Sequence, residues 1–173
     1  MAATNTDIAV LAGGCFWGVE DLFRKLPGVV ETQVGYTGGK TDNPVYKDVK
    51  TGATGHAEAI RITFDPGKTS FRALLEFFFA IHDPTTLNRQ GNDIGSQYRS
   101  AIFFRTPEQE QAARALIGEL EAQGVYGRKI ATEIVPFAVW TDAEDFHQDY
   151  LVKYPEGYTC HFIRPEWKLK KTA

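Results

Sequence analysis

The chain has 173 residues, 43% apolar and 24% charged, which suits one soluble domain with a real core. Its net charge of −3 offers no electrostatic footprint for nucleic acid or an anionic membrane, so neither is expected as a partner. No apolar run is long enough to span a bilayer, and the opening "MAATNTDIAVLAGG" lacks the basic start of a secretion signal. Two cysteines are too few for a disulfide scaffold, and the four histidines are scattered with no pair at i, i+4 spacing. No metal or cofactor is therefore expected, and the thiols are read as free or redox-active in a cytoplasmic setting.

"DIAVLA" predicts a buried strand closed by Gly13 and Gly14. Val19, Leu22, Phe23 and Leu26 then recur at helical spacing until Pro27-Gly28. "VVETQV" is a second strand, followed by a polar, glycine-rich loop over 35–55. Ile60, Ile62 and Phe64 alternate as a third strand. Ser70 caps a helix that ends near His82, since Pro84 disfavours helix at the residue before it. A second polar loop, "DPTTLNRQGNDIGSQY", leads to the strand "RSAIFF". Thr106, Pro107 and Gln109 start a third helix, "ATEIVPF" is a further strand, and Asp142 is expected to cap a last helix carrying Phe146, Tyr150 and Leu151. An irregular tail, 155–173, completes a single domain over 1–173. The order βαββαβ predicts an α/β (α+β) fold of the ferredoxin-like, split-βαβ kind: a two-layer sandwich with additional helices.

Loops this long in a compact domain tend to be functional. The first holds Tyr36, Tyr46, His56 and, at its end, Glu58; the second holds Asp93 and Tyr98. Cys15, in "GGCFWG", falls where a strand turns into a helix, where backbone N–H groups and the helix dipole favour thiolate. A small buried hydrophobe is the plainer reading of a free cysteine. Phe16 and Trp17 are adjacent and cannot share one helix face, so one of them can wall the thiol. A desolvated Glu58 could donate a proton, and Tyr46 and Tyr98 could donate hydrogen bonds to a substrate oxygen. Cys160, in "GYTCHF", is either a spare thiol or the partner of a reactive first one.

The segments "GGCFWGVE", "VGYTGG", "NPVY", "TGHAEAI", "HDPTT", "QGNDIGSQYRS" and "TEI" follow one another in an order that resembles the peptide methionine sulfoxide reductase A family. The resemblance runs from about Ile8 to the tail. It implies Cys15 as nucleophile, Glu58 as proton donor to the sulfoxide oxygen and Cys160 as resolving cysteine. It implies that Phe16 and Trp17 hold the S-methyl group, that Tyr46 and Tyr98 bind the oxygen, and that Asp93 helps position the site. It further implies reduction of methionine-S-sulfoxide, free or in proteins, through a sulfenic acid and an intramolecular disulfide. Thioredoxin is the expected reductant, repair of oxidised proteins under oxidative stress the expected role, and a monomer the expected state. Two rivals make different predictions: a cysteine hydrolase pairing Cys15 with a histidine, and a non-catalytic module gripping methyl-bearing peptides with Phe16 and Trp17.

Overall fold

The computed structural model describes residues 5–170. Its core is the βαββαβ unit: β1 (Asp7–Gly13), α1 (Phe16–Arg24), β2 (Val29–Thr37), β3 (Ala57–Phe64), α3 (Phe71–Ile81) and β6 (Ser100–Phe104). A one-turn helix, α2 (Tyr46–Val49), lies between β2 and β3, and a small hairpin, β4 (Arg89–Gln90) with β5 (Asp93–Ile94), between α3 and β6. The chain continues through α4 (Pro107–Ala122), β7 (Glu133–Pro136), β8 (Thr141–Asp142) and α5 (Tyr150–Lys153). The main sheet has the order β7-β6-β1-β3-β2-β8. Its four central strands are antiparallel neighbours in the expected split-βαβ arrangement, β7 pairs parallel with β6, and β8 pairs antiparallel with β2.

The two faces of the sheet differ in side-chain size. Leu11, Ile60, Ile62, Phe64 and Ile102 pack against Phe23, Leu74, Phe78, Phe79 and Leu116 from the helices. The opposite face carries Ala12, Ala57, Ala59 and Ala101 beside Val10 and Phe103. Alternation along β3 has a direct consequence for the site: Glu58 shares the face of Ile60, Ile62 and Phe64, not that of the alanines.

The helix starts follow the sequence reading. Ser70 Oγ accepts from Ala73 N–H at 3.0 Å, and Thr106 Oγ1 accepts from Gln109 N–H at 3.2 Å. Gln109 then ties the helix to the sheet, donating from Nε2 to the Ile8 carbonyl at 2.8 Å. The last helix departs from expectation. Asp142 is no cap: it pairs with Gly35 in β8, and its Oδ1 accepts from Trp140 Nε1–H at 2.7 Å. Downstream lie a 3-10 turn, Asp145–His147, and a left-handed Asp149 (φ 52°) before α5. Of the residues at apolar spacing, Tyr150 and Leu151 lie in α5 and Phe146 does not; the chain before them is shaped by Gln148. It bonds Val34 N–H and C=O at 2.9 Å each, extending the edge of the sheet with a side chain.

Beyond α5 the tail is irregular yet packed. His161 is buried and bonds the Gly13 carbonyl through Nε2 at 2.7 Å, and Arg164 N–H donates to the Ala80 carbonyl at 2.9 Å. The final three residues of the expected tail, 171–173, lie outside the described residues, as do 1–4. Among the described residues no helix is long and apolar enough to cross a membrane, and no group of acidic, histidine and cysteine side chains is arranged to hold a metal ion.

Candidate active site

Gly13 and Gly14 turn the chain from the end of β1 into α1, and Gly14 does so at φ +98°, a value that disfavours any side chain. Cys15 follows as the N-cap and is only 7% exposed. The N–H of Trp17 favours its thiolate, as expected for a helix start. Burial opposes this most strongly, and Glu58, Asp93 and Cys160 add to the opposition. The net shift is upward, so the helix terminus does not by itself produce a thiolate in the resting site. An interior thiol loses more from desolvation than one or two N–H groups return.

Glu58 is 1% exposed at the start of β3, and its Oε1 accepts from Phe16 N–H at 3.2 Å. Burial pushes its pKa up to about 8; the Phe16 N–H opposes the shift and Asp93 reinforces it. Glu58 is therefore largely protonated at neutral pH. Tyr46 and Tyr98 are also raised, first by burial and then by Glu58; the Tyr98 hydroxyl partly offsets the shift on Tyr46. The two loops thus converge on Cys15.

The aromatic pair divides its work. Phe16 is buried against Tyr36 (5.8 Å between ring centroids) and His147 (5.2 Å). Trp17 is half-buried and stacks on Tyr150 at 3.7 Å, while its Nε1–H donates to His147 Nδ1 at 2.9 Å. That bond requires the neutral ring to carry its proton on Nε2.

Cys160 approaches from the tail. Its Sγ lies 3.8 Å from Asp93 Oδ2, which also accepts from Tyr158 O–H at 3.2 Å. Both thiols are free. A Cβ on Gly18 would sit 2.6 Å from His161 Nδ1 and closer still to Thr159 Oγ1, so α1 admits the tail only because position 18 is glycine.

All eight side chains singled out from the sequence, Cys15, Phe16, Trp17, Tyr46, Glu58, Asp93, Tyr98 and Cys160, gather in this region. Missed were Glu144, His147, Tyr150, Tyr158 and His161. The first three lie in "AEDFHQDY", whose density of charge and aromatics at no single period was a usable sign.

A family model described as peptide methionine sulfoxide reductase matches residues 7–172. A relative from Nocardia farcinica, "Peptide methionine sulfoxide reductase MsrA", is 56% identical over 168 residues, covering 97% of this chain and 96% of its own. The chain belongs to the peptide methionine sulfoxide reductase A family. It is accordingly an enzyme that reduces methionine sulfoxide. Among solved structures, Mxr1 from Saccharomyces cerevisiae in reduced form superposes with a TM-score of 0.87 at 41% identity, over 92% of each chain. The same yeast protein in complex with Trx2 gives 0.64 at 28% identity, over 92% of this chain and 90% of that one.

Proposed function

We propose that the enzyme reduces the S epimer of methionine sulfoxide, free or in proteins, through a sulfenic acid on Cys15 and a Cys15–Cys160 disulfide recycled by thioredoxin. Repair of oxidised proteins is the corresponding role. The observation that carries the reading is Glu58: a carboxyl buried beside a buried thiol, its Oε1 on the Phe16 N–H at 3.2 Å, with burial pushing its pKa up to about 8.

A sulfoxide sulfur becomes a good electrophile when its oxygen is protonated. Glu58 gives its proton to that oxygen, and the Tyr46 and Tyr98 hydroxyls donate hydrogen bonds to it as charge develops. The thiol proton of Cys15 replaces the one Glu58 has lost, so the carboxyl ends as it began. A sulfur–sulfur bond forms as the S=O bond becomes a single S–OH bond; the hydroxyl group then passes from the methionine sulfur to the Cys15 sulfur, the sulfur–sulfur bond breaks, and methionine leaves with its electron pair, so that Cys15 ends as S–OH. This cycle also answers the high resting pKa of Cys15: the thiol need ionise only when substrate accepts the Glu58 proton. Cys160 then attacks Cys15, water departs, and the disulfide is returned to two thiols by a dithiol that is itself oxidised. The yeast relative's complex with Trx2 supports thioredoxin in that step.

Epimer choice follows from three fixed directions at sulfur: methyl towards Phe16 and Trp17, oxygen towards Glu58, and Cys15 behind. A methyl contact alone discriminates by only about 1–3 kcal/mol, so the oxygen site must contribute. With racemic methionine sulfoxide and thioredoxin, conversion should stop near half, the R epimer remaining on chiral chromatography, and Cys15→Ser should release no methionine. Equal consumption of both epimers, or activity in Cys15→Ser, overturns the assignment.

A further inference from the structure

Tyr46 stands at the first position of α2, a helix of four residues that cannot support itself. Val45, its N-cap, offers no side-chain acceptor, so the leading N–H groups need partners from elsewhere. Tyr46 N–H finds one 98 residues away in sequence: Glu144 Oε2, at 3.0 Å. The other oxygen, Oε1, accepts from the Tyr36 hydroxyl at 2.8 Å. Tyr36 is itself wholly buried on β2, where it is paired with Glu58 across the ladder.

The same turn grips the site a second time. The Glu144 carbonyl accepts from His147 N–H at 2.9 Å, which closes the 3-10 turn. The His147 ring lies 4.6 Å from the Tyr46 ring and receives the Trp17 indole N–H on Nδ1. One short turn thereby holds the backbone of Tyr46, the ring of Tyr46 and the indole of Trp17.

We propose that Glu144 is a positioning residue of this enzyme: by clamping the Tyr46 backbone against Tyr36 it fixes where the Tyr46 hydroxyl meets the sulfoxide oxygen. The inference rests on the reading of Tyr46 given above. The carboxylate suits the task because both of its oxygens accept. Burial works against its charge, but the Tyr46 N–H, its own N–H and the Tyr36 hydroxyl outweigh burial and hold it below the usual carboxylate range. A glutamine there would turn an NH2 group towards one of the two donors.

The test is a double-mutant cycle on single-turnover methionine release, using Glu144→Gln, Tyr46→Phe and the double variant, with thermal melting to establish that each folds. Glu144→Gln should slow release about 10- to 100-fold, the scale of a small misplacement of an oriented group. In the Tyr46→Phe background it should add less than about threefold, because the hydroxyl it positions is gone. Should Glu144→Gln fail to fold, Tyr36→Phe removes one donor and leaves the bond to Tyr46; its loss should be smaller and should likewise vanish with Tyr46→Phe. Penalties that multiply in full across the cycle overturn the proposal. So does Glu144→Gln at the wild-type rate while Tyr46→Phe is slow, a result that leaves the role of Tyr46 intact. Wild-type release by Tyr46→Phe would instead remove the reading on which the inference stands.

Discussion

Cys15 is held by backbone: it leaves the end of β1, flanked in the sheet by β3 and β6, and enters α1 through one tight glycine turn. Cys160 is held by side chains and a single backbone bond. Its segment joins no strand, and its nearest anchors are His161 to the Gly13 carbonyl, Tyr158 to Asp93 and, four residues on, Arg164 N–H to the Ala80 carbonyl. Opening the first region means breaking a central ladder; opening the second means breaking a few isolated bonds. The contrast matches what each thiol must do under the proposed cycle. A nucleophile that attacks a chiral sulfur needs fixed geometry. A resolving thiol must move to meet Cys15, and the disulfide must then reach an outside reductant.

The sharpest way to break this division is to disable the fixed half alone. Glu58→Gln keeps a hydrogen-bond donor of the same shape but cannot deliver a proton. Single-turnover methionine release at neutral pH should fall about 10²- to 10⁴-fold, while melting temperature stays level or rises. In the wild type the same rate should decline as pH climbs through about 8, where Glu58 loses its proton. The sign for stability agrees. The folded state holds that proton between the ordinary carboxylate pKa of 4.5 and about 8 while the unfolded state does not, so this group's contribution falls as pH rises across that window. Wild-type release by Glu58→Gln would show that the proton comes from elsewhere.

Disabling the tail half should leave the first event intact. Cys160→Ser is expected to form about one methionine per enzyme at the wild-type rate and then stall with thioredoxin, with a sulfenic acid on Cys15 that dimedone traps. A small thiol such as dithiothreitol should restart it slowly. Sustained thioredoxin-supported turnover in this variant would mean that the resolver lies elsewhere.

How far these two halves were legible in the sequence follows from how they are held. Cys15 and Glu58 sit at element ends, where strand alternation and a glycine turn dictate position. Glu58 continues the Ile60, Ile62, Phe64 face by simple parity, although its burial was left open because a lone glutamate at a strand start is usually solvated. The four-strand core was readable for the same reason. The segment from Glu144 to Tyr150 was not, because its contacts are made across distant parts of the chain: Gln148 stands in for a strand, Glu20 Oε1 accepts from Asp149 N–H at 2.8 Å, and His147 receives Trp17. No periodicity encodes such pairings, and apolar spacing alone gave a helix starting at Asp142 where only Tyr150–Lys153 is α-helical. The packing of the tail was hidden likewise, since a bare glycine at position 18 does not announce that Thr159 and His161 will cover it.

That glycine offers a milder perturbation of the comparison. Gly18→Ala places a methyl where Thr159 Oγ1 and His161 Nδ1 now sit, while an alanine is favourable for α1 itself. The tail should be displaced at a cost of about 1–3 kcal/mol, with the helix unharmed. First-turnover methionine release should be within about threefold of wild type, whereas disulfide formation, followed by loss of dimedone-reactive sulfenic acid, should slow by roughly tenfold or more. If the first turnover falls as far as resolution does, the tail is part of the rigid site after all.

The smallest expected effect is one of pH. His161 is neutral beneath the tail: burial, aided by Arg164, lowers its pKa to about 4 against the bond to Gly13. Released, the ring returns to the ordinary 6.5. Between those values the open tail binds a proton that the closed tail refuses, so the closed state is fully favoured above 6.5 and loses ground as pH falls towards 4. At pH 5.5 opening should be favoured about tenfold over pH 8, roughly 1.4 kcal/mol. His82 is also buried and neutral, with its pKa depressed to about 3, so it loosens the helix–sheet core with the same sign. A control must therefore isolate the tail. Hydrogen exchange of the amides over 158–164 reports it directly, and His161→Gln keeps a donor for the Gly13 carbonyl at the position of the ring Nε2 but does not titrate. The expected outcome is faster opening of that segment at pH 5.5 in the wild type, after correction for intrinsic exchange, and no difference between the two pH values in His161→Gln. Equal pH dependence in both proteins would move the acid sensitivity away from His161, and with it the claim that one buried imidazole sets how firmly the resolving half is held.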